Sequence, residues 1–464
     1  MTTTGRPPPE PLYTFRPFHH AVHSSPNAPA ISHSITHIAF IHRPCLGTPN
    51  HKLLQLLTTD ELGFVVLWSL ESKRAEVLWK PHPDSSKFGG CLWAEGVVES
   101  QDASTLREED VNYLYIVSQG RDHRFVLSRV PAQPALSLNR AAFRPTADHP
   151  SPDVDIVADS PTNTTSFCKA ALLTCDALPH SKWTCILAAP SSVDEKFVDI
   201  FAVRTHVEAP QIHRIYRGVG DEGAIHEMGA VMSVSLCRPD GFRKATLLLV
   251  GYESGAVALF SHHDANNDIG QGVWQRVASF RGHDEPIFSM CIGANLDHSC
   301  AATAWSVGAD HKIVRYDIEV TYVRSNNTTL ECTSGKEEHA LLKYDFKPTV
   351  YTTRSPCRFD VKLRSDGKVM ATISAGGKIW MYGSPHPALQ GGKLPPLGLL
   401  KLKTSEEIRG GVLSFAPIRD SQKSHAHKSH LEGLGMLDTV GNRALLAAAD
   451  KGGSVIIWEV FPMS

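Results

Sequence analysis

One histidine and one carboxylate, His283 and Asp310, have the types and the spacing that could carry acid–base chemistry. An imidazole beside a carboxylate can relay a proton, and in a buried site the two groups can instead satisfy each other's hydrogen bonds. His283 follows Gly282 after an apolar run, Asp310 lies in a short turn, and Ser306 is a further polar candidate. Because an unpaired buried polar group costs about 1–3 kcal/mol, we interpret His283 and Asp310 as a structural pair.

The segment Gly218–Gly223 matches the pattern G-x-G-x-x-G. A dinucleotide-binding loop needs a helix that starts at the last glycine, so that its amide groups meet the pyrophosphate. Here the residues that follow read into a strand, and Asp221 and Glu222 place negative charge where a phosphate would lie. No P-loop pattern occurs in the sequence, so we predict a surface loop and no nucleotide cofactor.

Histidine and cysteine could also form metal sites. The histidines cluster at His19–His20, at His262–His263 beside Asp264, and at His425, His427 and His430. Zinc needs ligands that converge from ordered elements, whereas we predict that all three clusters lie in loops. The 10 cysteines never form Cys-x-x-Cys, and most lie in apolar runs, which indicates small buried side chains in a reducing compartment. The sequence therefore predicts no metal site, no disulfide framework and no cofactor.

Composition limits the class of protein. The chain has 464 residues, 42% of them hydrophobic and 20% charged, with a formal net charge of −2. This is ordinary for a globular chain and lacks the basic footprint of a nucleic-acid-binding protein. No apolar signal region follows the first methionine, and no apolar run reaches the length of a membrane span. We expect an intracellular protein with no membrane and no direct nucleic-acid partner.

Short strands must position His283 and Asp310. The stretch 274–319 predicts one strand ending at Gly282, others over 287–292, 300–306 and 313–318, and a turn at 309–310. We interpret it as one four-stranded blade of a WD-repeat β-propeller, in which a Gly-His pair and a turn aspartate meet in space. Tyr316 stands where such repeats usually carry Trp, and His82 follows its own strand much as His283 does.

The pattern of an apolar strand, a short Gly/Asp turn and a second apolar strand occurs seven times. The copies lie at 53–70, 115–130, 186–203, 247–260, 274–319, 369–383 and 445–461. Seven repeats of the usual length of about 40–45 residues would not fill the chain, so insertions are needed. We predict a disordered N-terminus at 1–12 and a single propeller at 13–464, with long loops near 131–165, 322–338, 384–397 and 419–442.

The last blade has only three predicted strands of its own, at 411–415, 444–448 and 455–460. A strand candidate at 13–18 has no nearby hairpin partner and can supply the fourth. Pairing the two would close the ring and remove sheet edges that invite aggregation. The fold class is therefore all-β, a seven-bladed WD-repeat β-propeller closed by an N-terminal strand that completes the last blade.

Several segments resemble one known family. The first four segments are, in order, TTDELGFVVLWSLES, SQGRDHRFVLSRV, VDIFAV with IHRIYRG, and VMSVSLCRPDG with LLLVGYESGAVALF. They are followed by LRSDGKVMATISAGGKIWMYG and AAADKGGSVIIWEVF. The chain resembles the ASTRA-associated protein 1 family, a WD-repeat group related to the G-protein β-subunit-like proteins: the first four segments are similar to the first four blades of that family, and the other two are similar to its last two blades. Tyr316, Tyr382 and Phe260 depart from the usual Trp, and only Gly282-His283 keeps the Gly-His pair. These departures weaken the generic repeat signature without disturbing the order of the segments.

The resemblance implies a non-catalytic scaffold subunit of the ASTRA assembly. Such a subunit would be linked to chromatin remodelling and to the triple-T co-chaperone that matures phosphatidylinositol-3-kinase-related kinases. ASTRA subunits and the triple-T complex would be its protein partners. The resemblance implies no catalytic residue, no cofactor, no metal and no nucleotide, and a nuclear location with the cytoplasm as a second one.

Two other functions stay open at this point. A propeller that reads histone tails or phosphopeptides through its central channel would have a basic or aromatic rim. A propeller hydrolase would have carboxylates in that channel, and no spacing in the sequence indicates a converging acid pair. Arg121, Arg217 and Arg281 follow strands or lie in turns and could form a partner-binding face. Isolated surface charges, which contribute little energy, are the favoured interpretation of these arginines.

Overall fold

The structure is a computed structural model, and the statements below concern the residues that it describes. These are residues 10–15, 34–45, 48–83, 90–97, 113–132, 151, 153–175, 183–205, 207–220, 227–239, 242, 245–263, 272–294, 301–323, 341–354, 357–383, 394–402, 411–417, 444–450 and 453–460. Within them, no helix combines the length and the apolar composition that a membrane crossing requires.

The described strands form seven four-stranded antiparallel sheets, which are the blades of a β-propeller. The first strand of the chain is β1 (Tyr13–Phe15). Blade 1 contains β2 (Ile35–Cys45), β3 (Thr48–Asp60), β4 (Val65–Ser69) and β5 (Ala75–Trp79). Blade 2 contains β6 (Cys91–Val97), β7 (Tyr113–Gly120), β8 (Arg124–Pro131) and β9 (Asp155–Pro161). Blade 3 contains β10 (Ala171–Thr174), β11 (Cys185–Pro190), β12 (Val198–Arg204) and β13 (Gln211–Val219).

The remaining blades repeat this order. Blade 4 contains β14 (Val231–Cys237), β15 (Ala245–Tyr252), β16 (Ala256–His263) and β17 (Trp274–Arg281). Blade 5 contains β18 (Ile287–Ala294), β19 (Ala302–Gly308), β20 (Lys312–Val323) and β21 (Leu341–Thr352). Blade 6 contains β22 (Arg358–Leu363), β23 (Val369–Ser374), β24 (Lys378–Gly383) and β25 (Pro396–Lys401). Blade 7 contains β26 (Gly411–Phe415), β27 (Leu445–Asp450), β28 (Val455–Glu459) and β1.

The strand β1 closes the ring. It pairs antiparallel with β28, with Tyr13 opposite Ile457, and the backbone N–H of Leu12 donates to the carbonyl oxygen of Ile457 at 2.9 Å. The fold class that the sequence predicts is therefore confirmed, including closure by an N-terminal strand. Residues 16–18 of the predicted strand lie outside the described residues.

The boundary of the best-preserved repeat differs from the prediction. The stretch 274–319 is not one blade, because its first strand, β17, is the outer strand of blade 4. The outer strand of blade 5 is β21, which pairs with β20 and follows the segment predicted as a loop at 322–338. A sequence repeat thus joins the outer strand of one blade to the three inner strands of the next. This overlap links neighbouring blades covalently.

The predicted loop at 131–165 contains an element that the sequence does not indicate. The outer strand of blade 2, β9, lies at Asp155–Pro161 and is mostly exposed or half-buried, so it shows no apolar alternation. In the predicted loop at 384–397, β25 begins at Pro396. Residues 1–9 and most of the loops at 322–338 and 419–442 lie outside the described residues.

The core lies between adjacent blades. The second strands β11, β15, β19 and β23 are buried at every residue, which explains their continuous apolar runs. For example, Leu56 and Val66 of blade 1 pack in one cluster with Ala447 and Ile457 of blade 7. Each fully buried aliphatic side chain contributes about 1.5–3 kcal/mol, so the contact between blades stabilises the ring.

An aromatic residue occupies a constant register on the third strand of five blades. Trp68 lies opposite Leu56, and Trp458 lies opposite Leu446, in the equivalent strand pairs of blades 1 and 7. The same position is occupied in blades 4, 5 and 6 by Phe260, Tyr316 and Tyr382. These three residues therefore take the structural place of the usual tryptophan.

Candidate functional site

The functional candidates lie near one face of the ring. The first strand of each blade lines the centre, and antiparallel pairing brings its start to the same face as the turn between the second and third strands. The outer strand ends at this face too. We call it the upper face, and it carries His82, His283 and the mouth of the central channel.

His283 and Asp310 meet at the upper face of blade 5. His283 Nδ1 lies 2.9 Å from Asp310 Oδ1, and His283 Nε2 lies 2.8 Å from Ser306 Oγ. Ser306 Oγ is in turn 3.0 Å from the Tyr316 hydroxyl. The second carboxylate oxygen of Asp310 accepts the backbone N–H of Asp284 at 3.0 Å. The cluster thus joins the turn, the second and third strands and the segment that enters the blade.

The chemistry of this cluster fits a structural role. Burial alone would raise the pKa of the Asp310 carboxyl, but the hydrogen bond and charge of His283 and the N–H groups of Lys312 and Asp284 outweigh it and hold that pKa below its usual value. Burial raises the pKa of the Tyr316 hydroxyl far above its usual value, which keeps it a neutral hydrogen-bonding group. The side chain of His283 is fully buried, so no substrate can reach the imidazole.

Blade 2 contains a second cluster of the same kind. His82 Nδ1 lies 3.0 Å from Asp122 Oδ1, and His82 Nε2 lies 2.9 Å from Ser118 Oγ. The sequence places His82 correctly after its strand but gives it no partner. The missed signal is the spacing Ser118-x-x-x-Asp122, which repeats the spacing Ser306-x-x-x-Asp310.

Blade 6 fills the equivalent space with an arginine. The guanidinium of Arg358 donates to Thr372 Oγ1 at 3.2 Å and to the Tyr382 hydroxyl at 3.4 Å, where blade 5 has Ser306 and Tyr316. Gly376 stands four residues after Thr372, where Asp310 stands after Ser306. A long cationic side chain therefore replaces the histidine and carboxylate without the Gly-His signature.

The central channel contains a cavity of about 250 Å³. The first strands of blades 1, 2, 4, 5 and 6 line it, together with the segment that leads into β10 in blade 3. Five of these strands carry a register shift within their first three residues: β2, β6, β14, β18 and β22. A bulge of this kind turns an extra side chain toward one side of a strand. The channel therefore carries more side chains than regular strands would supply.

The mouth of the channel is aromatic. Phe288 and Phe359, each the second residue of its strand, stack with ring centroids 5.5 Å apart and an interplanar angle of 7°. Met232 lies at the start of β14 and also lines the cavity. Phe167 is 61% exposed and has a φ of 57°, which is uncommon for a bulky residue. The guanidinium of Arg121 lies 4.7 Å from the centre of its ring.

Below the mouth the channel is charged. Glu95 lies two residues after Trp93 in β6, and Lys362 lies two residues after Asp360 in β22. Glu95 and Lys362 therefore line the cavity at the same level of the channel. Burial raises the pKa of Glu95 although Lys362 opposes this. Burial would lower the pKa of Lys362, but the charges of Asp360 and Glu95 outweigh it and raise that pKa. These opposite charges balance each other.

Asp360 is occupied by hydrogen bonds within the ring. Ser289 Oγ donates to its Oδ1 at 2.7 Å, and the backbone N–H of Val361 donates to the same oxygen at 2.9 Å. Its Oδ2 accepts the N–H of Leu413 at 2.9 Å. Asp360 thus connects blades 5, 6 and 7. Among the described residues, the carboxylates Asp360 and Glu95 line the channel. Sequence reasoning missed them because they come from different blades and share no local pattern.

The three arginines considered as a partner face lie apart. Arg121 lies in the turn between β7 and β8, beside Phe167 at the channel mouth. Arg217 and Arg281 are exposed on the outer strands β13 and β17 of blades 3 and 4. The structure therefore places only Arg121 next to the channel.

The glycine-rich match at Gly218–Gly223 does not present a phosphate site in its described part. The N–H of Gly218, which would face a phosphate, donates to Asp199 Oδ1 at 3.0 Å. The next described strand is β14, and residues 221–226 lie outside the described part.

One histidine cluster is not in a loop as predicted. His262 and His263 end the strand β16, and His262 is fully buried with its Nε2 2.8 Å from the Tyr216 hydroxyl. The aromatic rings of Tyr216 and Trp274 surround His262. The strand therefore extends through both histidines, which the sequence alone places in a loop. The clusters at His19 and His425 lie outside the described residues. In the described ranges, no group of three His, Cys, Asp or Glu side chains could hold a metal ion.

The described cysteines are free thiols. Cys91, Cys168, Cys175, Cys185, Cys237 and Cys291 are buried, and Cys357 is half-buried. Burial raises the pKa of each thiol for which a shift is found, and that of Cys237 rises to about 12. Neutral buried thiols are poor nucleophiles, so these residues act as small apolar side chains.

Comparison with known proteins identifies similar chains. Proteins named ASTRA-associated protein 1 align from Penicillium rubens (24% identical, 71% of this chain and 70% of the relative) and Verticillium alfalfae (21%, 88% and 87%). The relative of that name from Schizosaccharomyces pombe is 23% identical over 75% of this chain and 84% of its own. No protein-family model matches the chain.

Among solved structures, the β-propeller domain of Cps50 (Swd1) from Myceliophteria thermophila aligns over 92% of this chain and 100% of that domain, with 12% identity and a TM-score of 0.44. The fold assignment depends on the strand pairing described above. Eight fungal relatives carry one name at 20–27% identity. The resemblance to ASTRA-associated protein 1 that the sequence segments indicate is therefore confirmed across most of the chain.

Proposed function

We propose that this chain is a non-catalytic interaction subunit of an ASTRA assembly. The observation that carries the proposal is the consistent similarity to proteins whose name states an association with ASTRA. The propeller supports a scaffold role, because a closed ring holds its turns and loops on a stiff frame. Partner surface is then offered with little ordering cost on this side of the interface.

The finer functions rest on the family resemblance. We propose that the chain takes part in chromatin remodelling and joins the triple-T co-chaperone in maturing phosphatidylinositol-3-kinase-related kinases. A nuclear location, with the cytoplasm as a second one, follows from the same proposal.

One observation favours a hydrolase function and one opposes it. Glu95 and Asp360 do share the channel, which a hydrolase would need. However, three hydrogen bonds from the ring occupy Asp360, so it cannot also bind a water or a leaving group without breaking them. This arrangement supports a structural use of Asp360 and favours the interaction role.

Affinity purification of a tagged full-length chain from cells tests the proposal. We expect ASTRA and triple-T subunits among the co-purified proteins, identified by mass spectrometry. The control is the same chain without β1, which cannot close its ring and should recover fewer partners. Purification of the intact chain without any of those subunits would contradict the assignment.

A further inference from the structure

The channel mouth has the features of a binding site for a side chain. Aromatic and apolar groups surround it, with the stacked Phe288 and Phe359 on one side and Met232 on another. Phe167 stands exposed at the rim in a left-handed backbone conformation that costs energy for an aromatic residue. The Arg121 guanidinium holds this ring from outside. Strained exposed residues of this kind are typical of ligand contacts.

Lys169 is a charged residue that lines the cavity close to Phe167 in the sequence. It lies two residues before β10 and two after Phe167, and it lines the same cavity. Burial lowers the pKa of Lys169 to about 8, with Lys362 adding to the effect and Asp360 opposing it. Among the described residues, no carboxylate lies within 4.0 Å of its ammonium group. The ammonium group of the half-buried Lys169 therefore lacks a close counter-ion.

A second polar group in the cavity also lacks a partner. His37 is 3% exposed, and its Nε2 has no hydrogen-bond partner among the described residues. The nearest carboxylate oxygen, Glu95 Oε1, is 4.0 Å away, too far for a hydrogen bond. Burial and the charges of Lys169 and Lys362 hold the pKa of His37 well below its usual value. The neutral imidazole can then donate to a ligand oxygen.

The charged residues of the channel indicate whether a ligand there would be an anion or a cation. Asp360 already accepts three hydrogen bonds, and Glu95 faces Lys362 at the same level of the channel. Asp360 thus has its hydrogen bonds within the ring, and Lys362 is the cation near Glu95, whereas Lys169 feels the charge of Asp360 only from beyond ion-pair distance. An anionic group fits this vacancy, while a cation would add to the repulsion between Lys169 and Lys362.

We propose that the mouth of the central channel binds an acidic segment of a protein partner, with an Asp or Glu side chain paired to Lys169 and apolar neighbours against Phe288 and Phe359. The proposal deepens the interaction role and depends on it for the existence of a protein partner. A carboxylate would accept from Lys169 and from His37 Nε2. Phe167 and Met232 would exclude water from the pair.

Fluorescence anisotropy with labelled peptides tests this inference on the full-length protein. The probes are 11-residue peptides with a Leu-Glu-Leu centre and versions with Gln, Lys or phosphoserine in place of Glu. We expect the Glu peptide to bind about tenfold or more tightly than the Gln peptide, the ratio that one charge-assisted hydrogen bond supplies. Tighter binding of the Lys peptide, or equal binding of all four, would overturn the proposal. Tighter binding of the phosphoserine peptide would overturn the choice of a carboxylate.

Variants separate binding from folding. Lys169→Gln should abolish the preference for Glu, and Lys169→Arg should keep it. Lys347→Gln on the outer strand β21 is the matched control, since this exposed lysine pairs with Glu319 and Asp345 far from the channel, and it should bind as the unaltered protein does. A preference that survives Lys169→Gln would contradict the pairing.

A direct readout of Lys169 completes the test. NMR of ¹³C-methylated lysines should show the pKa of Lys169 rising when the Glu peptide is added, because a new counter-ion stabilises the charged form. Lys169→Met should raise the melting temperature of the free protein, since it removes an uncompensated cation. A fall in melting temperature would show that Lys169 is a structural ion-pair partner. Peptide discrimination without recovery of ASTRA subunits from cells would disprove the proposed assembly and leave the channel site standing.

Discussion

His283 and His82 each connect the turn of their own blade to the segment that enters it. Each imidazole uses both nitrogens, one toward an aspartate and one toward a serine. Removing the ring leaves a buried carboxylate and a buried hydroxyl without their partner. Removing either imidazole should therefore lower the stability of the fold without affecting any catalytic reaction.

We expect His283→Ala and His82→Ala each to lower the free energy of unfolding by about 1–3 kcal/mol, the usual cost of orphaned buried polar groups. Urea denaturation followed by circular dichroism measures this. His311→Ala is the control, because His311 is an exposed histidine in the turn beside Asp310 and should change the free energy by less than about 0.5 kcal/mol. Equal effects at His311 and His283 would refute the structural assignment.

The buried carboxyl of Asp60 predicts that the stability of the folded protein depends on pH. This carboxyl is buried in the turn of blade 1, and Oδ1 accepts the N–H groups of Leu62 and Phe64 at 3.0 and 2.9 Å. Burial raises its pKa to about 6, and these hydrogen bonds only partly oppose the rise. The folded state therefore holds a proton that the unfolded chain has already lost, so stability falls as pH rises from about 4 to 6.

Asp60→Asn keeps the accepting oxygen and removes the titration. We expect the melting temperature of this variant, relative to the unaltered protein, to increase between pH 4 and pH 7. Asp284→Asn serves as the control, because Asp284 is exposed and forms a surface ion pair with Lys312, which contributes little energy. A difference between the variant and the unaltered protein that stays constant with pH would disprove the raised pKa.

For single residues, the sequence predicts pairs within one repeat better than sites whose residues come from several blades. His283 and Asp310 belong to one repeat with a known geometry, so their spacing is informative. The channel is assembled from single residues such as His37, Glu95 and Lys169, which come from three blades. Each is a single polar residue with no local pattern around it, and only closure of the ring brings the three together.

The strands differ in how far their sequence reveals them. Second and third strands are buried on both faces, as in β15 and β19, and their apolar runs predict them well. Outer strands have one solvated face, so the sequence of β9 is typical of a polar loop. For the same reason, the sequence predicts β17 in the blade that follows it, whereas it is the outer strand of blade 4. The seven repeats and the closing strand are predictable, because both depend on counting buried strands.

The closing strand β1 gives a prediction at the scale of elements. Deleting residues 1–20 removes the partner of β28 and leaves the backbone N–H and C=O groups of that strand unpaired at an open edge. We expect a lower melting temperature and concentration-dependent aggregation, measured by differential scanning fluorimetry and light scattering. Deleting only residues 1–9 should change neither quantity. An unchanged melting temperature after the longer deletion would contradict closure by β1.

The whole ring distributes its stability over seven similar contacts between blades. The clusters of His82 and His283 lie in blades 2 and 5 and share no residue. Effects of distant changes usually add within about 0.5 kcal/mol when the molecule unfolds as one unit. We therefore expect the double variant His82→Ala/His283→Ala to lose the sum of the two single effects in one cooperative transition. Two separate unfolding transitions would show that the blades unfold independently.

The pairing of β1 with β28 also sets the order of events during synthesis. Tyr13 leaves the ribosome early, whereas its partner Ile457 is added more than four hundred residues later. Contacts between residues so far apart in sequence form slowly. Blades 1 to 6 can assemble while translation continues, but the first strand must wait for the last one. Until β28 is synthesised, the ring of the nascent chain stays open, and its unpaired strand edges are exposed to aggregation.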